Sequence, residues 1–216
     1  DAPIYTTAFS PSYTLRWFMR DREEDLLQFI EEDPGSLAIA LKSIAKSLIN
    51  FNRILIEETG VEGFYYCVNN QNNFFEASFF STYVVPYEKE VLDKANELSD
   101  INILHICGYD GLSNDLKLFK GFEAAAFNWD VEAEGVSLTE GKKLFGWKAV
   151  IGGFKQDQVI YTGTREEVEK ATFDILDECG QIGTIIGAGC TLPTDIEEIR
   201  LEWVRQASIK YAVDNL

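Results

Sequence analysis

The 216-residue chain is predicted to fold as an α/β protein on a parallel sheet. Three features carry this expectation: six short apolar runs, longer helical patterns between them, and a chain length that six βα units of roughly 33 residues each account for. The runs are PIYTTAF (3–9), GFYYCVN (63–69), INILHICG (101–108), AAAFNWD (124–130), KAVIGGF (148–154) and IGTIIGAGC (182–190). Each is mostly apolar and bounded by Gly, Asn or Asp, as strands buried on both faces should be. The clearest helical segments are 36–59, 78–98, 165–178 and 195–212. Ser137–Glu140, Thr164–Glu167 and Thr194–Glu197 each fit the S/T-x-x-E box, in which two side chains satisfy orphan amides at a helix start. Pro86 falls inside 78–98, so that helix is expected to kink there or to begin in earnest near Tyr87.

Six units account for the chain, whereas a closed eight-unit barrel typically needs about 250 residues. The arithmetic leaves an open sheet or a barrel short of two units. No linker divides the sequence, so residues 1–216 are expected to form one domain. The formal net charge of −17 argues against nucleic acid or an anionic membrane surface as partner, both being polyanions. No apolar run reaches the length of a membrane span, and DAPIYTTAFS lacks the basic start and apolar centre of a signal peptide. Four cysteines in a chain this long do not make a disulfide scaffold, and a cytoplasmic location is expected.

His105 is the only histidine, and Cys107 follows two residues later. In a strand, positions i and i+2 share a face, so both project from the C-terminal end of their strand, where (β/α) barrels build active sites. Gly108 lets the chain turn without crowding that rim. Cys190, flanked by Gly189, ends the last strand. An N,S,S set suits zinc with one position open for water or substrate. Taken alone, H-x-C on an apolar strand also reads as ordinary core, since free cysteine behaves as a small hydrophobe.

HICG, FNWD, IGGF, GTREEV and GAGCTLPTD, in this order and at these intervals, resemble the uroporphyrinogen decarboxylase superfamily. The nearer match within it is the branch of cobalamin-dependent methyltransferases acting on thiols. The resemblance implies a (β/α)8 barrel of which this chain holds only about the last six βα units. It implies a catalytic zinc on His105, Cys107 and Cys190, and a methyl donor in methylcobalamin or another methyl-corrinoid, carried on a partner corrinoid protein. It also implies a small-molecule thiol as acceptor. The sequence does not begin with Met and the first two units are absent from it, so a fragment is expected, with a missing N-terminal segment or a second copy covering the open edges.

A carboxylate near the metal would accept the thiol proton. Asp130, closing FNWD, and Glu76, in NNFFEASFF, are the two candidates, with a helix cap and a solvated loop acid as their ordinary readings; the family position falls closer to Asn128. Cys67 and Cys179 are read as structural. Asn69, Asn70, Gln71 and Asn72 form a polar run at the substrate end, Gly152 and Gly153 allow close backbone approach, and Trp17, Phe18, Phe74 and Phe75 read as core or as the wall of an apolar pocket. Two other functions compete. A metal-free uroporphyrinogen decarboxylase of porphyrin biosynthesis would need rim cations, for which Arg16 and Lys155 are the nearest residues. A non-catalytic barrel relative would bind no metal.

Overall fold

The computed structural model describes residues 2–70, 75–108 and 112–215, with Glu23 by its backbone alone. The chain forms two compact units, 1–125 and 126–216.

The first unit runs β1 (Tyr5–Phe9), α1 (Pro11–Phe18), α2 (Glu23–Glu32), α3 (Pro34–Thr59), β2 (Gly63–Val68), α4 (Ala77–Phe79), a π-helical turn at Phe80–Val84, α5 (Val85–Asn96), β3 (Ile103–Ile106) and a 3₁₀ turn at Leu116–Phe119. β1, β2 and β3 are parallel neighbours in that order, with Phe9 opposite Cys67 and Cys67 opposite His105. α1 was not among the expected helices, yet its start is written locally: Ser10 caps it, accepting from the Tyr13 amide at 3.3 Å, and Pro11 occupies the first turn. α3 begins on Asp33, whose carboxylate accepts from the Ser36 amide, and ends at Gly60 in the left-handed region with φ 79°. Near Pro86 the helix does not break but changes type, with α5 beginning at Val85, close to the expected start. Proline cannot donate to the preceding turn, and the wide π turn at Phe80–Val84 leads into α5 with Pro86 in its first turn. Leu37 and Leu41 of α3, Phe64 and Tyr66 of β2, and Val91 and Leu92 of α5 are all buried.

Glu88 of α5 is completely buried. One carboxylate oxygen accepts from the Ser12 amide at 3.0 Å, at the N-terminus of α1. The other oxygen and the Ser12 hydroxyl have no partner among the described residues. Desolvation raises its pKa to about 7, against the pull of the Ser12 amide. The titratable group facing it is Tyr66, whose hydroxyl donates to the Glu88 carbonyl. Because the folded-state pKa exceeds the unfolded one, the native state binds the extra proton between about pH 4.5 and 7, and stability falls as pH rises through that window. Glu88→Gln is expected to flatten this slope and to be more stable than the parent at pH 8 by about 3 kcal/mol, measured by urea unfolding from pH 4.5 to 8.

The second unit runs β4 (Ala126–Trp129), α6 (Val131–Glu134), α7 (Leu138–Leu144), β5 (Ala149–Phe154), α8 (Val159–Thr162), α9 (Arg165–Cys179), β6 (Thr184–Ala188) and α10 (Glu198–Asp214). β4, β5 and β6 are again parallel neighbours in sequence order, with Asn128 opposite Ile151 and Gly153 opposite Gly187. All six expected strands are therefore present, shorter by a few residues at their ends, and the chain has the expected α/β class, six consecutive βα units in the manner of part of a (β/α)8 barrel. The capping boxes at Ser137–Glu140 and Thr164–Glu167 form with both reciprocal bonds. The one at Thr194–Glu197 does not. Thr194 and Asp195 lie in a turn where Asp195 accepts the Tyr161 hydroxyl, and α10 starts later, at Glu198. Phe154, Ile160, Val168 and Val204 form the buried centre between β5, α8, α9 and α10. Among the described residues no helix is long and apolar enough to cross a membrane.

Candidate functional site

In the first unit, all four residues of β3 are buried, and the strand ladder continues one step further, the Cys107 amide donating to the Val68 carbonyl at 2.8 Å. His105 and Cys107 thus end the strand on one face, as the alternation requires. His105 is 3% exposed and its ring stacks on Tyr65 at 4.9 Å, while Cys107 is half-buried. Asn114 is a contributor that no local pattern announced. Its side-chain amide donates to the Cys107 carbonyl at 3.1 Å, and its oxygen accepts from the Asn70 amide at 2.9 Å. Asn70 in turn accepts from the Asp115 amide at 3.0 Å. Asn69 accepts from Arg16 at 3.3 Å. Of the polar run, Asn69 and Asn70 are therefore buried hydrogen-bonding residues, while Gln71 and Asn72 lie outside the described residues, as does Phe74.

Glu76 is exposed and immediately precedes α4 without capping it. Cys67 is buried opposite His105, in line with its structural reading. Phe75 is buried against Phe79 and Phe80. Trp17 and Phe18, by contrast, are 54% and 77% exposed and line an apolar cleft of about 300 Å³ with Phe9 and Tyr13, so they are not core.

In the second unit, Cys190 lies two residues beyond β6 and is half-buried. Gly189 sets its position. The Gly189 amide donates to the Phe154 carbonyl at 2.8 Å, and a Cβ on Gly189 would stand 2.6 Å from the Asp130 Cα. Only a residue without a side chain fits between the ends of β4 and β5, which places Cys190 at the same rim as Asp130 and Lys155. Asp130 is buried and caps α6, one carboxylate oxygen accepting from the Glu132 and Ala133 amides at 3.0 and 3.1 Å. Asn128, fully buried, bridges three strands by donating to the carbonyls of Ile151 (2.8 Å) and Ala188 (3.0 Å). Gly152 and Gly153, at φ 148° and 107°, face Leu138 and Ile175, so both are used in packing.

Lys155 donates to Glu132 at 2.9 Å and Gln158 to the other Glu132 oxygen at 3.1 Å, beside a cleft of about 290 Å³ that Asp130 also lines. The ammonium holds the Glu132 carboxyl below its usual range, and the carboxylate holds Lys155 above its own. Cys179 is buried with its thiol directed to the Ile175 carbonyl, as a structural cysteine should be. Lys142, also buried, donates to the Cys179 and Ile182 carbonyls and to the Thr184 hydroxyl, completing the C-terminal end of α9.

No family model matches the chain. The fold and the donor types define an α/β protein of (β/α)-barrel kind with histidine and cysteine at strand C-termini. Over 133 residues it is 26% identical to a methylcobamide:CoM methyltransferase of Methanosarcina mazei, spanning 62% of this chain and 37% of that protein. A methylcobamide:CoM methyltransferase of Methanosarcina acetivorans is 23% identical over 134 residues, again 62% of this chain and 37% of the relative. A chloroplastic uroporphyrinogen decarboxylase of Oryza sativa subsp. japonica is 27% identical over 112 residues, 51% of this chain and 27% of that protein. The chain thus spans little more than a third of the methyltransferases it matches. A solved methyltransferase structure from Methanosarcina mazei superposes with a TM-score of 0.80 at 14% identity, over 98% of this chain and 60% of the other, and shares the fold. The resemblance read from the motifs stands on both branches, decarboxylase and methyltransferase.

Proposed function

We propose that the chain is part of a zinc-dependent methyltransferase that moves a methyl group from a corrinoid to a small-molecule thiol, with His105, Cys107 and Cys190 as the zinc ligands. The observation that carries this reading is the donor set itself. One imidazole and two thiols are the His and Cys group that the described residues offer to a metal, and their chemistry fits zinc. The sequence relatives named for methylcobamide:CoM methyl transfer support the same chemistry. Bound zinc would deprotonate a coordinated thiol at neutral pH while the two cysteine thiolates keep the net charge low enough for the sulfur to remain nucleophilic.

The chain's own groups have separate tasks. Stacking on Tyr65 and burial hold the His105 ring in one orientation. The half-buried positions of Cys107 and Cys190 leave their sulfurs within reach of an entering ligand. Asp130 is assigned as acceptor of the thiol proton, because its cap bonds fix it at the rim where Gly189 delivers Cys190. Exposed Glu76 is the second candidate. The methyl donor is methylcobalamin or another methyl-corrinoid on a partner protein, and a metal site built on cysteine thiolates suits the reducing cytoplasm.

The test is direct. Purified protein is expected to contain about one zinc per chain and, with methylcobalamin and a thiol, to shift the corrinoid spectrum to the demethylated form; metal-free protein with no shift would end the proposal. The similarity to the rice enzyme favours a second reading, a metal-free decarboxylase acting on a porphyrin precursor. Against it, Lys155 is already paired with Glu132 and is not held ready for a substrate carboxylate. Release of CO₂ from uroporphyrinogen by zinc-free protein would select it.

A further inference from the structure

We infer that Asn114, clasped to Asn70, is the positioning residue for Cys107. The inference rests on Cys107 being a zinc ligand and goes beyond it by naming what orients that ligand. Cys107 lies one residue past the end of β3, and its amide, donating to the Val68 carbonyl, continues the ladder by one step. A bond to the Cys107 carbonyl fixes the far side of the same residue, and with it the backbone from which the sulfur projects.

Asn114 supplies it from seven residues downstream. It donates to the Cys107 carbonyl at 3.1 Å and accepts from the Asn70 amide at 2.9 Å. One side chain therefore ties the residue that follows β3 to a residue just past the end of β2. Asn70 closes the loop by accepting from the Asp115 amide at 3.0 Å, so the two asparagines each hold the other's segment. Both are nearly dry, Asn70 at 1% and Asn114 at 6% exposure. An amide is needed at 114 because the site demands one donor and one acceptor at once: aspartate offers no donor, and an aliphatic residue offers neither. In the low dielectric of a buried site, such bonds restrain direction closely.

The molecule contains its own control. Asn102, 1% exposed at the opposite end of β3, joins the same two strands, accepting from the Phe64 amide at 2.9 Å and donating to the Ser99 carbonyl at 3.0 Å. It has the same chemistry and burial but lies away from Cys107.

The experiment measures two quantities in the parent, Asn114→Ala and Asn102→Ala: Co²⁺ affinity by competition with a chromophoric chelator, and the rate at which iodoacetamide alkylates Cys107 in metal-free protein, followed by peptide mass spectrometry. Asn114→Ala is expected to weaken Co²⁺ binding by about 10- to 100-fold, the usual effect of removing a group that orients a ligand, and to speed alkylation of Cys107. Asn102→Ala is expected to lower the melting temperature and change neither. Should Asn114→Ala fail to fold, judged by circular dichroism, Asn114→Asp replaces it. That variant keeps the acceptor for Asn70 and loses the donor to Cys107, and the same two changes are expected. Parental affinity together with parental alkylation in a folded Asn114 variant overturns the assignment. If the parent protein binds no Co²⁺, the zinc reading fails, and the alkylation contrast between positions 114 and 102 alone decides for or against the clasp.

Discussion

Cys190→Ser is expected to strip zinc from the purified protein and to leave methyl transfer to a thiol undetectable. A serine hydroxyl is a poor zinc ligand at neutral pH, and its loss as a donor leaves two protein ligands where catalytic zinc ordinarily has three. Changes to groups that merely orient a ligand cost about 10- to 100-fold in affinity, so removing the ligand itself should exceed that range. Elemental analysis after dialysis against a weak chelator is the measurement. The comparison that gives it force is with Cys67→Ser and Cys179→Ser. Both are buried in their own units, one opposite His105 on β2 and the other hydrogen-bonded to the Ile175 carbonyl, and both variants should retain parental zinc. Full zinc content in Cys190→Ser would remove residue 190 from the metal and with it the methyl-transfer reading.

Trp129→Ala is expected to destabilise the second unit by about 3 to 5 kcal/mol, the range for deleting a buried tryptophan. Trp129 is completely buried at the end of β4, and its indole N–H donates to the Val136 carbonyl at 2.9 Å. α7 has a glycine where the ring passes: a methyl group on Gly141 would stand 2.0 Å from the indole Cη2. Ring and gap are one fitted pair, and alanine at 129 leaves a cavity that helix α7 cannot collapse into without straining the bonds from Thr139 and Lys142 to the carbonyls of Glu178 and Cys179. The Val136 carbonyl would also lose its partner. Urea unfolding followed by far-ultraviolet circular dichroism measures the effect; a loss below about 1 kcal/mol would mean that the space refills and that the packing argument is wrong.

Legibility followed the range of the interaction. The strands could be read because burial on both faces demands an unbroken apolar run, which is visible within eight residues. Two of three capping boxes could be read because both partners lie three residues apart. The third did not form: Glu197 is itself the residue before α10 and is paired with Arg200, while neighbouring Asp195 is held by Tyr161, 34 residues away. Helix α1 was missed although Ser10 and Pro11 announce it, since its apolar face is short and two of its aromatics, Trp17 and Phe18, remain exposed. At the candidate site, strand alternation was enough to put His105 and Cys107 on one face. Asn114 and Lys142 carried no signal, because an asparagine or a lysine reads as surface until the carbonyls it serves are known, and these lie 7 to 40 residues away.

By itself, the sequence determined the α/β class and the six strands in order, since both are matters of local pattern, and it nominated His105, Cys107 and Cys190 as the metal ligands. Only the tertiary structure decided how those residues are held: the glycine pressed against Asp130 that delivers Cys190 to its rim, the asparagine pair that restrains Cys107, and the tyrosine under His105. The physical reason is that a side chain's donor atoms are fixed by its type, whereas its direction is fixed by hydrogen bonds and packing from segments remote in the chain.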